Sequence, residues 1–330
     1  MEYRMLGRTG LRVSVLGFGC GDVGGMMVRG APLERERAVA RAIELGINYF
    51  DTAPSYGNGL SEQHLGQALK ALKPTVYVGT KFRLAADDLT NIPSAIGRSL
   101  DASLARLGLE RVDLLQLHNA VAPERSGRTL GVADVLEQAI PALDKLRQRG
   151  KIGFFGITSF GDTGALHQVV DSGAIDTAQV FLNLLDPSAG FELPPGFPGQ
   201  DFGRLLSRAR AQRVGVIVVR VLAGGALSGT PARHPIAAPA VEPIATGPDY
   251  GTDVARARAF GALVEEGHAG SLVEAALRFP LGIDGVSTVL LGYSTQEQLE
   301  YAAASIAKGP LLPAAVDVLS RLWSRLAGAR

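Results

Sequence analysis

The sequence contains a single cysteine, Cys20, so no disulfide bond can form within the chain. Disulfides persist in oxidising compartments, and a chain with one thiol is more typical of a reducing one. No apolar run approaches the roughly 20 residues that a membrane-spanning helix requires. The amino terminus, MEYRMLGRTG, is charged and lacks the apolar core of a secretory signal. These absences favour a cytoplasmic protein that does not enter a membrane.

The sequence also lacks an excess of charge of either sign. It has 33 lysine and arginine residues against 32 aspartate and glutamate residues, a net charge of +1. Such a chain has no general electrostatic attraction for nucleic acid or for an anionic membrane surface. We therefore expect neither a nucleic-acid nor a membrane partner. Our further expectations are a small-molecule carbonyl or alcohol substrate and a monomer or small homo-oligomer.

Short apolar runs rich in β-formers alternate with segments of helical period about eight times along the chain. The repetition predicts a parallel sheet with crossover helices. Eight such units in 330 residues favour an α/β fold of the closed (β/α)8, or TIM-barrel, class. The alternative is an open doubly wound sheet, but the glycine-rich segment LGFGCGDVGG lacks the required G-x-G-x-x-G spacing. The predicted strands are LRVSVLGFG, INYFD, VYVGTK, VDLLQLH, KIGFFGIT, TAQVF, VGVIVVR and STVLLG.

Three segments lie outside this repeat. EYRMLGRTGLRVS predicts an amino-terminal β-hairpin, which would cover the bottom of a barrel. Residues 314–326 predict an extra carboxy-terminal helix. Residues 223–251 have no period and are too long for an idle connection, so we expect a functional flap or a disordered insertion. No domain boundary is evident, and we expect residues 1–330 to form one domain.

Four protic or ionisable side chains stand at or just after the ends of consecutive predicted strands. Asp51 ends the second strand and Tyr56 follows in its loop. Lys81 ends the third strand and His118 the fourth. Each alone is typical of a turn, surface or packing residue. In a parallel barrel, however, all carboxyl strand ends open on one face, and neighbouring strands lie about 4.8 Å apart. We therefore expect one site.

These residue types suit hydride transfer to a carbonyl, which leaves an alkoxide that needs a proton. The phenol of Tyr56 can give this proton, although its reference pKa of about 10 is high. The ammonium of Lys81 favours the phenolate and lowers that pKa, and the Asp51 carboxylate holds the ammonium. A neutral imidazole, that of His118, can donate a hydrogen bond to the carbonyl oxygen.

A metal-dependent barrel hydrolase is a less favoured alternative. His118 has no histidine or cysteine nearby at ligand spacing, and Lys81 would repel a cation. We therefore predict no metal.

The motifs around these residues resemble those of the aldo-keto reductases. NYFDTAPSYGNGLSEQHLG is similar to the Asp/Tyr signature of that family, VGTK to its lysine strand, and VDLLQLH to its histidine strand. The resemblance extends over essentially the whole chain. It implies catalytic roles for Asp51, Tyr56, Lys81 and His118, and a nicotinamide cofactor bound without a Rossmann fold.

The resemblance also implies which residues contact the cofactor. In GITSF, Thr158 and Ser159 stand where the family places residues that hold the nicotinamide carboxamide, and Gln179 resembles the family glutamine with the same role. In VRVLAGG, Arg220 would lie beside the nicotinamide ring, and the glycines would admit the pyrophosphate. The predicted cofactor set is Gly19, Thr158, Ser159, Gln179, Arg220, Leu222, Gly224, Gly225, Gly292, Ser294, Thr295 and Gln298.

The segment GYSTQEQLE opens a helix whose Thr295 and Gln298 have capping-box spacing, so its amino terminus can bind an anion. The family places the 2′-phosphate of NADP here, often with an arginine or lysine where this chain has Ser294. We predict NADP(H), with NAD(H) as the alternative because the cation is missing.

The predicted function is reduction of an aldehyde or ketone, with Tyr56 as general acid. One alternative is an NAD-dependent aldose 1-dehydrogenase, which runs the same chemistry in reverse. The other is a cofactor-sensing regulatory subunit with the same fold. The predicted substrate pocket consists of Asp22, Met26, Phe82 and Asn119.

Overall fold

The computed structural model describes residues 1–328, and its centre is a closed barrel of eight parallel strands. Each strand pairs with the next along the chain, and the last pairs with the first. The predicted (β/α)8 fold is therefore confirmed. The barrel strands are β1 Leu16–Gly19, β2 Tyr49–Asp51, β3 Tyr77–Phe82, β4 Val112–Leu117, β5 Ile152–Thr158, β6 Thr177–Phe181, β7 Gly215–Val219 and β8 Val286–Gly292.

Twelve α-helices accompany the barrel in the described part of the chain, and most lie in the crossovers between strands. They are α1 Met26–Arg29, α2 Pro32–Glu44, α3 Leu60–Leu72, α4 Ile92–Leu107, α5 Ile140–Gln148, α6 Thr163–Asp171, α7 Leu205–Ala211, α8 Tyr250–Ala259, α9 Ala262–Glu265, α10 Leu272–Arg278, α11 Gln296–Ala307 and α12 Pro313–Gly328.

Helix α4 illustrates how the sequence sets these elements. The Asn91 side chain accepts a hydrogen bond from Ser94 N at 3.1 Å and so caps the first turn. Ile96, Leu100 and Leu104 recur every fourth residue and bury one face. Gly108, at φ +64°, ends the helix in the left-handed conformation that glycine adopts without strain.

The amino-terminal hairpin pairs Tyr3–Met5 with Arg12–Ser14 in antiparallel register. Arg8 N donates to Arg213 O at 2.8 Å, just before β7, and Arg4 Nη1 donates to Val286 O at 3.1 Å, where β8 begins. The hairpin therefore covers the amino ends of the strands, which confirms the prediction. A small inner cluster fills the barrel above it, namely Leu6, Val13, Tyr49, Leu114 and Ile217.

The helical period of the sequence predicts helices over 132–149, 202–212 and 252–266, and each begins or ends differently in the structure. The helix predicted over 132–149 has a π-helical segment at Asp134–Ala139 before α5, because Pro141 has no N–H to continue the α-helical ladder. The helix predicted from Phe202 starts three residues later, since Gly203 and Arg204 both have positive φ. The helix predicted over 252–266 is divided into α8 and α9 near Gly261.

Candidate active site

The four side chains predicted from the strand ends converge at the carboxyl face of the barrel. Lys81 Nζ donates to Asp51 Oδ1 and, at 2.9 Å, to Thr52 O. The same ammonium lies 4.8 Å from the centroid of the Tyr56 ring. The Tyr56 and His118 rings meet edge to face, with their centroids 6.1 Å apart. A carboxylate, an ammonium, a phenol and an imidazole are thus within reach of one another.

The local sequence explains how Tyr56 reaches this site. The segment Tyr56–Gly59 forms a tight turn in which Gly57 and Asn58 have positive φ. Gly57 N donates to Asp22 Oδ2 at 3.2 Å, which ties the turn to the loop after β1. A Cβ on Gly57 would lie 2.5 Å from Val28 Cγ1, so the close approach requires glycine.

The charges of the site act on one another because they are buried. Burial is the largest single influence on Lys81 and favours its neutral form, but Asp51 and Tyr56 together outweigh burial and raise the pKa of Lys81 above its usual value. Burial raises the pKa of the Tyr56 phenol, and the Lys81 ammonium acts in the opposite direction. Burial, with Lys81 nearby, lowers the pKa of His118 to about 3. The imidazole is therefore neutral at physiological pH.

Two further side chains hold the second oxygen of Asp51. Tyr49 OH donates to Asp51 Oδ2 at 3.0 Å, and Gln179 Nε2 donates to the same oxygen at 2.6 Å. Thr158 Oγ1 in turn donates to Gln179 Oε1 at 3.2 Å. Sequence reasoning missed Tyr49, although its place two residues before Asp51 on a strand puts both side chains on the same face.

A cavity of about 820 Å³ opens above these residues. Asp51, Tyr56 and His118 form part of its wall, and Lys81 lies buried beneath them. Most of the residues predicted to contact a cofactor also line it, and their roles stay predictions. Those that line the cavity are Gly19, Thr158, Gln179, Arg220, Leu222, Gly224, Gly225, Gly292, Ser294 and Gln298.

The structure does not bring Ser159 or Thr295 to the cavity wall. Ser159 is fully buried, and its N–H donates to Gln179 O at 2.8 Å. The Thr295 hydroxyl accepts from Gln298 N at 3.2 Å, as the cap of α11. Their predicted contacts with a cofactor stay predictions.

The four residues predicted for the substrate pocket also lie away from the cavity wall. Phe82 is fully buried in the barrel core, and Met26 is buried at the start of α1. Asp22 forms an ion pair with Arg29 at 3.1 Å and organises its own loop. The buried Asn119 amide exchanges two hydrogen bonds of 2.8 Å with the backbone of Leu84. Packing and loop contacts thus occupy all four side chains.

The cavity wall is glycine-rich where the loops after β1, β7 and β8 meet. In the turn Ala223–Ser228, Gly224 and Gly225 have φ of +70° and +111°. A Cβ on Gly24 would lie 2.4 Å from Tyr293 N. Backbone N–H groups can approach an anion closely across such a surface. The glycine-lined cavity beside a proton-donating phenol fits a nicotinamide dinucleotide.

The amino terminus of α11 forms another part of the cavity wall. Ser294 Oγ donates to Gly24 O at 2.6 Å, and Ser294 N donates to Gln298 Oε1 at 2.8 Å. Glu297 also lines the cavity here. The arginines of the wall are Arg220 and Arg233, which come from the loop after β7. The side chains that α11 brings to the wall, Glu297, Gln298, Tyr301 and Ala302, carry no positive charge.

A segment of the loop after β7, residues 229–249, crosses to the loop after β1, and we call it the strap. The Arg233 guanidinium holds it, donating to Ala238 O at 2.6 Å, Gly224 O at 2.8 Å and Val23 O at 3.2 Å. It also lies over the ring of Tyr250, another cavity residue. Sequence reasoning missed Arg233 because the strap has no period from which side-chain direction could be read.

Two kinds of feature are absent from the described residues. No helix in residues 1–328 is both long and apolar enough to cross a membrane. Nor does this part of the chain contain a group of three or more histidine, cysteine, aspartate or glutamate side chains arranged to hold a metal ion.

The sequence is similar to those of known oxidoreductases. The aldo/keto reductase family model matches residues 15–323. The chain is 32% identical to L-galactose dehydrogenase of Arabidopsis thaliana, over 93% of this chain and 88% of that protein. It is 30% identical to D-threo-aldose 1-dehydrogenase of Pseudomonas sp, over 98% and 95%.

A solved structure agrees with these sequence matches. The holo form of aldo-keto reductase AKR11C1 from Bacillus halodurans superposes with a TM-score of 0.72 at 25% identity, covering 100% of this chain and 97% of that one. The predicted family and enzyme class are confirmed. The chain belongs to the aldo/keto reductase family and is an oxidoreductase that acts with a nicotinamide cofactor.

Proposed function

We propose that this protein is an NAD-dependent dehydrogenase that oxidises aldose sugars at C1. The observation that carries the cofactor choice is the uncharged and acidic wall at the start of α11. A 2′-phosphate is doubly charged near neutral pH. Glu297 would repel it, while Ser294 and Gln298 already bond to protein atoms. The 2′-hydroxyl of NAD carries no such charge. This proposal departs from the NADP(H) preference predicted from the sequence.

The substrate class rests on the two relatives that align with nearly the whole chain. Their names describe dehydrogenases of L-galactose and of D-threo-aldoses. In its ring form, an aldose carries a hydroxyl group on C1, and oxidation at C1 requires removal of the proton of that hydroxyl. The buried phenol, ammonium and carboxylate supply the groups for that step.

We assign the binding roles as follows. Thr158 and Gln179 would hold the nicotinamide carboxamide, Arg220 would lie against the ring, and Gly224 and Gly225 would face the pyrophosphate. When bound, the cofactor supplies the hydride acceptor. The distribution of these residues along one cavity supports the assignment.

The protein side chains would handle the proton. The ionised oxygen of Tyr56 would accept the proton of the C1 hydroxyl and become a neutral phenol, and the Lys81 ammonium would stabilise the phenolate before this transfer. Asp51 would keep that ammonium in place. His118, neutral because burial lowers its pKa to about 3, would form a hydrogen bond to the reacting oxygen.

A second candidate is reduction of aldehydes or ketones with NADPH, as predicted from the sequence. One observation favours it: burial raises the pKa of Tyr56, which keeps the phenol protonated and ready to donate. The same side chains would serve both directions, because the acid of one direction is the base of the other.

The test follows nicotinamide absorbance with purified protein, using NAD and NADP against aldohexoses and aldopentoses, and NADH and NADPH against aldehydes and ketones. We expect aldose oxidation with NAD, abolished in Tyr56→Phe. Aldehyde reduction without aldose oxidation would select the second candidate, and a preference for NADP would contradict the cofactor assignment. An active Tyr56→Phe variant would refute the proton-transfer role.

A charge reversal tests the cofactor assignment directly. Glu297→Arg should strengthen NADP binding about tenfold, roughly 1.4 kcal/mol, by placing a cation beside the 2′-phosphate. Glu297→Gln is the matched control, because it removes the negative charge without adding a positive one. Equal NADP affinity in wild type and both variants would show that the 2′-position lies elsewhere.

We also propose that residues 1–330 act as one domain, with residues 223–251 as a flap over the cofactor. The contacts of Arg233 from the strap to the loop after β1 support this role. We further propose a cytoplasmic monomer or small homo-oligomer that does not bind nucleic acid, in keeping with its balanced charge and its single, buried Cys20.

A further inference from the structure

Tyr49 is a buried phenol next to the active-site carboxylate. It lies on β2 two residues before Asp51, so both side chains point into the barrel. Its hydroxyl donates to Asp51 Oδ2 at 3.0 Å. Tyr49 is fully buried and does not line the cavity, so it cannot touch a substrate there.

Two glycines on the neighbouring strands provide the space for this ring. A Cβ on Gly17 of β1 would lie 3.0 Å from Tyr49 Cδ1, and a Cβ on Gly79 of β3 would lie 2.7 Å from Tyr49 OH. Real Cβ atoms rarely approach that closely. The absence of a side chain at Gly17 and at Gly79 thus leaves room for the Tyr49 ring on both sides of β2.

The contacts of Asp51 show what the Tyr49 hydroxyl does. Asp51 Oδ1 accepts from Lys81, while Oδ2 accepts from Tyr49 and, at 2.6 Å, from Gln179. Burial and the nearby Asp51 charge hold the pKa of Tyr49 well above its usual value. Tyr49 therefore remains a donor at every pH at which the enzyme would work.

The Tyr56 phenol experiences opposing influences from this group. The Lys81 ammonium favours its ionisation, and the Asp51 carboxylate disfavours it. A hydrogen bond to Asp51 Oδ2 disperses part of the negative charge and fixes the carboxylate toward Lys81. We propose that Tyr49 is a positioning residue for proton transfer at Tyr56, acting through Asp51 and Lys81. The inference rests on the proton-transfer role proposed above for Tyr56.

The test is the Tyr49→Phe variant, which keeps the ring and removes the hydroxyl. The pH profile of kcat for oxidation of the best aldose in the panel should move its midpoint upward by about 0.5 unit, because the Asp51 charge then opposes the phenolate more strongly. Below the midpoint kcat should fall about threefold, with the substrate KM unchanged.

Two further variants separate this role from simple packing. Tyr77→Phe is the matched control, since Tyr77 packs against the same inner cluster and is not among the donors to Asp51. It should leave the profile unchanged. Gly79→Ala should displace the Tyr49 hydroxyl and shift the profile as Tyr49→Phe does, so the test does not depend on one variant folding. Thermal unfolding and NADH binding check that each variant is intact.

The ionisation of Tyr56 can also be measured directly, without a substrate. Carbon-13 tyrosine spectra of the cofactor-free protein, with Tyr56 assigned by its loss in Tyr56→Phe, should show ionisation at higher pH in Tyr49→Phe than in wild type. Unchanged ionisation and an unchanged kcat profile would overturn the inference. An active Tyr56→Phe variant would instead refute the proposed function, so the two failures are distinguishable.

Discussion

Asp186, in the loop after β6, is a buried carboxyl group outside the active site. Its Oδ1 accepts from Ser188 N at 3.1 Å and from Ser188 Oγ at 2.6 Å, while Oδ2 has no hydrogen-bond partner among the described residues. Burial outweighs the Ser188 hydrogen bonds and raises the pKa of Asp186 to about 7. The fold therefore retains a proton that the unfolded chain releases near pH 4.

Because the pKa of Asp186 is higher in the folded than in the unfolded protein, its contribution to the free energy of unfolding decreases as pH rises. The folded pKa lies above the unfolded value of about 3.9, so the Asp186 contribution is fully present below that value and is lost as pH rises through about 7. Asp186→Asn should therefore be more stable than wild type at pH 8 and gain little at pH 4. Urea unfolding at the two pH values measures this. A variant that gains equally at both would show that Asp186 does not titrate in this window.

The convergence of the side chains at the strand ends was predictable, because a parallel barrel repeats the same geometry at each strand. Asp51, Lys81 and His118 follow apolar runs of similar length, and their convergence requires only the strand spacing. The substrate-pocket role of Asn119 stays a prediction, because it rested only on the position of this residue directly after His118. Adjacency to His118 in sequence does not decide where a side chain points once it bonds to Leu84 and Arg128.

At the scale of elements, the strap is held by several hydrogen bonds from a single side chain, that of Arg233. The guanidinium donates to Gly224 O in the turn after β7 and to Val23 O in the loop after β1, and a third hydrogen bond, to Ala238 O, lies within the strap. Hydrogen bonds from a charged donor contribute about 1.5–3 kcal/mol each when they are well shielded. A segment without regular hydrogen bonding depends on such contacts for its order.

Replacing Arg233 should loosen the strap without altering the barrel. Arg233→Met should make residues 229–249 more sensitive to limited proteolysis and weaken NADH binding about tenfold. Arg258→Met is the matched control, because Arg258 makes one hydrogen bond to the end of the strap, at Gly229 O. Equal cleavage of the Arg233 variant and wild type would contradict a fastening role.

At the scale of the whole molecule, the hairpin and the candidate site lie at opposite ends of the barrel. The hairpin contacts the amino ends of β7 and β8, whereas the candidate site occupies the carboxyl ends. In barrels of this class the first face serves stability and the second serves chemistry. A change at the hairpin should therefore affect unfolding but not catalysis.

Gly7→Ala tests this division of labour. Gly7 has φ +53°, and its Cβ would lie 2.2 Å from Gly215 N. We expect a loss of about 2–3 kcal/mol in the free energy of unfolding, with kcat/KM unchanged. Gly97→Ala is the control, since Gly97 lies in α4 with open space around it and should gain up to about 1 kcal/mol. Lost activity in a folded Gly7→Ala protein would refute the separation.

The sequence by itself determined the barrel, the hairpin and the four strand-end side chains. The alternation of apolar runs and helical segments can be read from short stretches of sequence. Once the strands form a closed parallel barrel, residues at their carboxyl ends all lie on one face. The family and the nicotinamide cofactor were predicted separately, from the resemblance of the strand-end motifs to those of the aldo-keto reductases.

Only the tertiary structure decided which other side chains meet at the site. Tyr49 reaches Asp51 because Gly17 and Gly79, on different strands, leave room for it. Glu297 lines the cavity, and Asp22 turns to Arg29 and Gly57. Such contacts join residues far apart in the chain through loops that have no period. Their side-chain directions become defined only when the loops pack against one another.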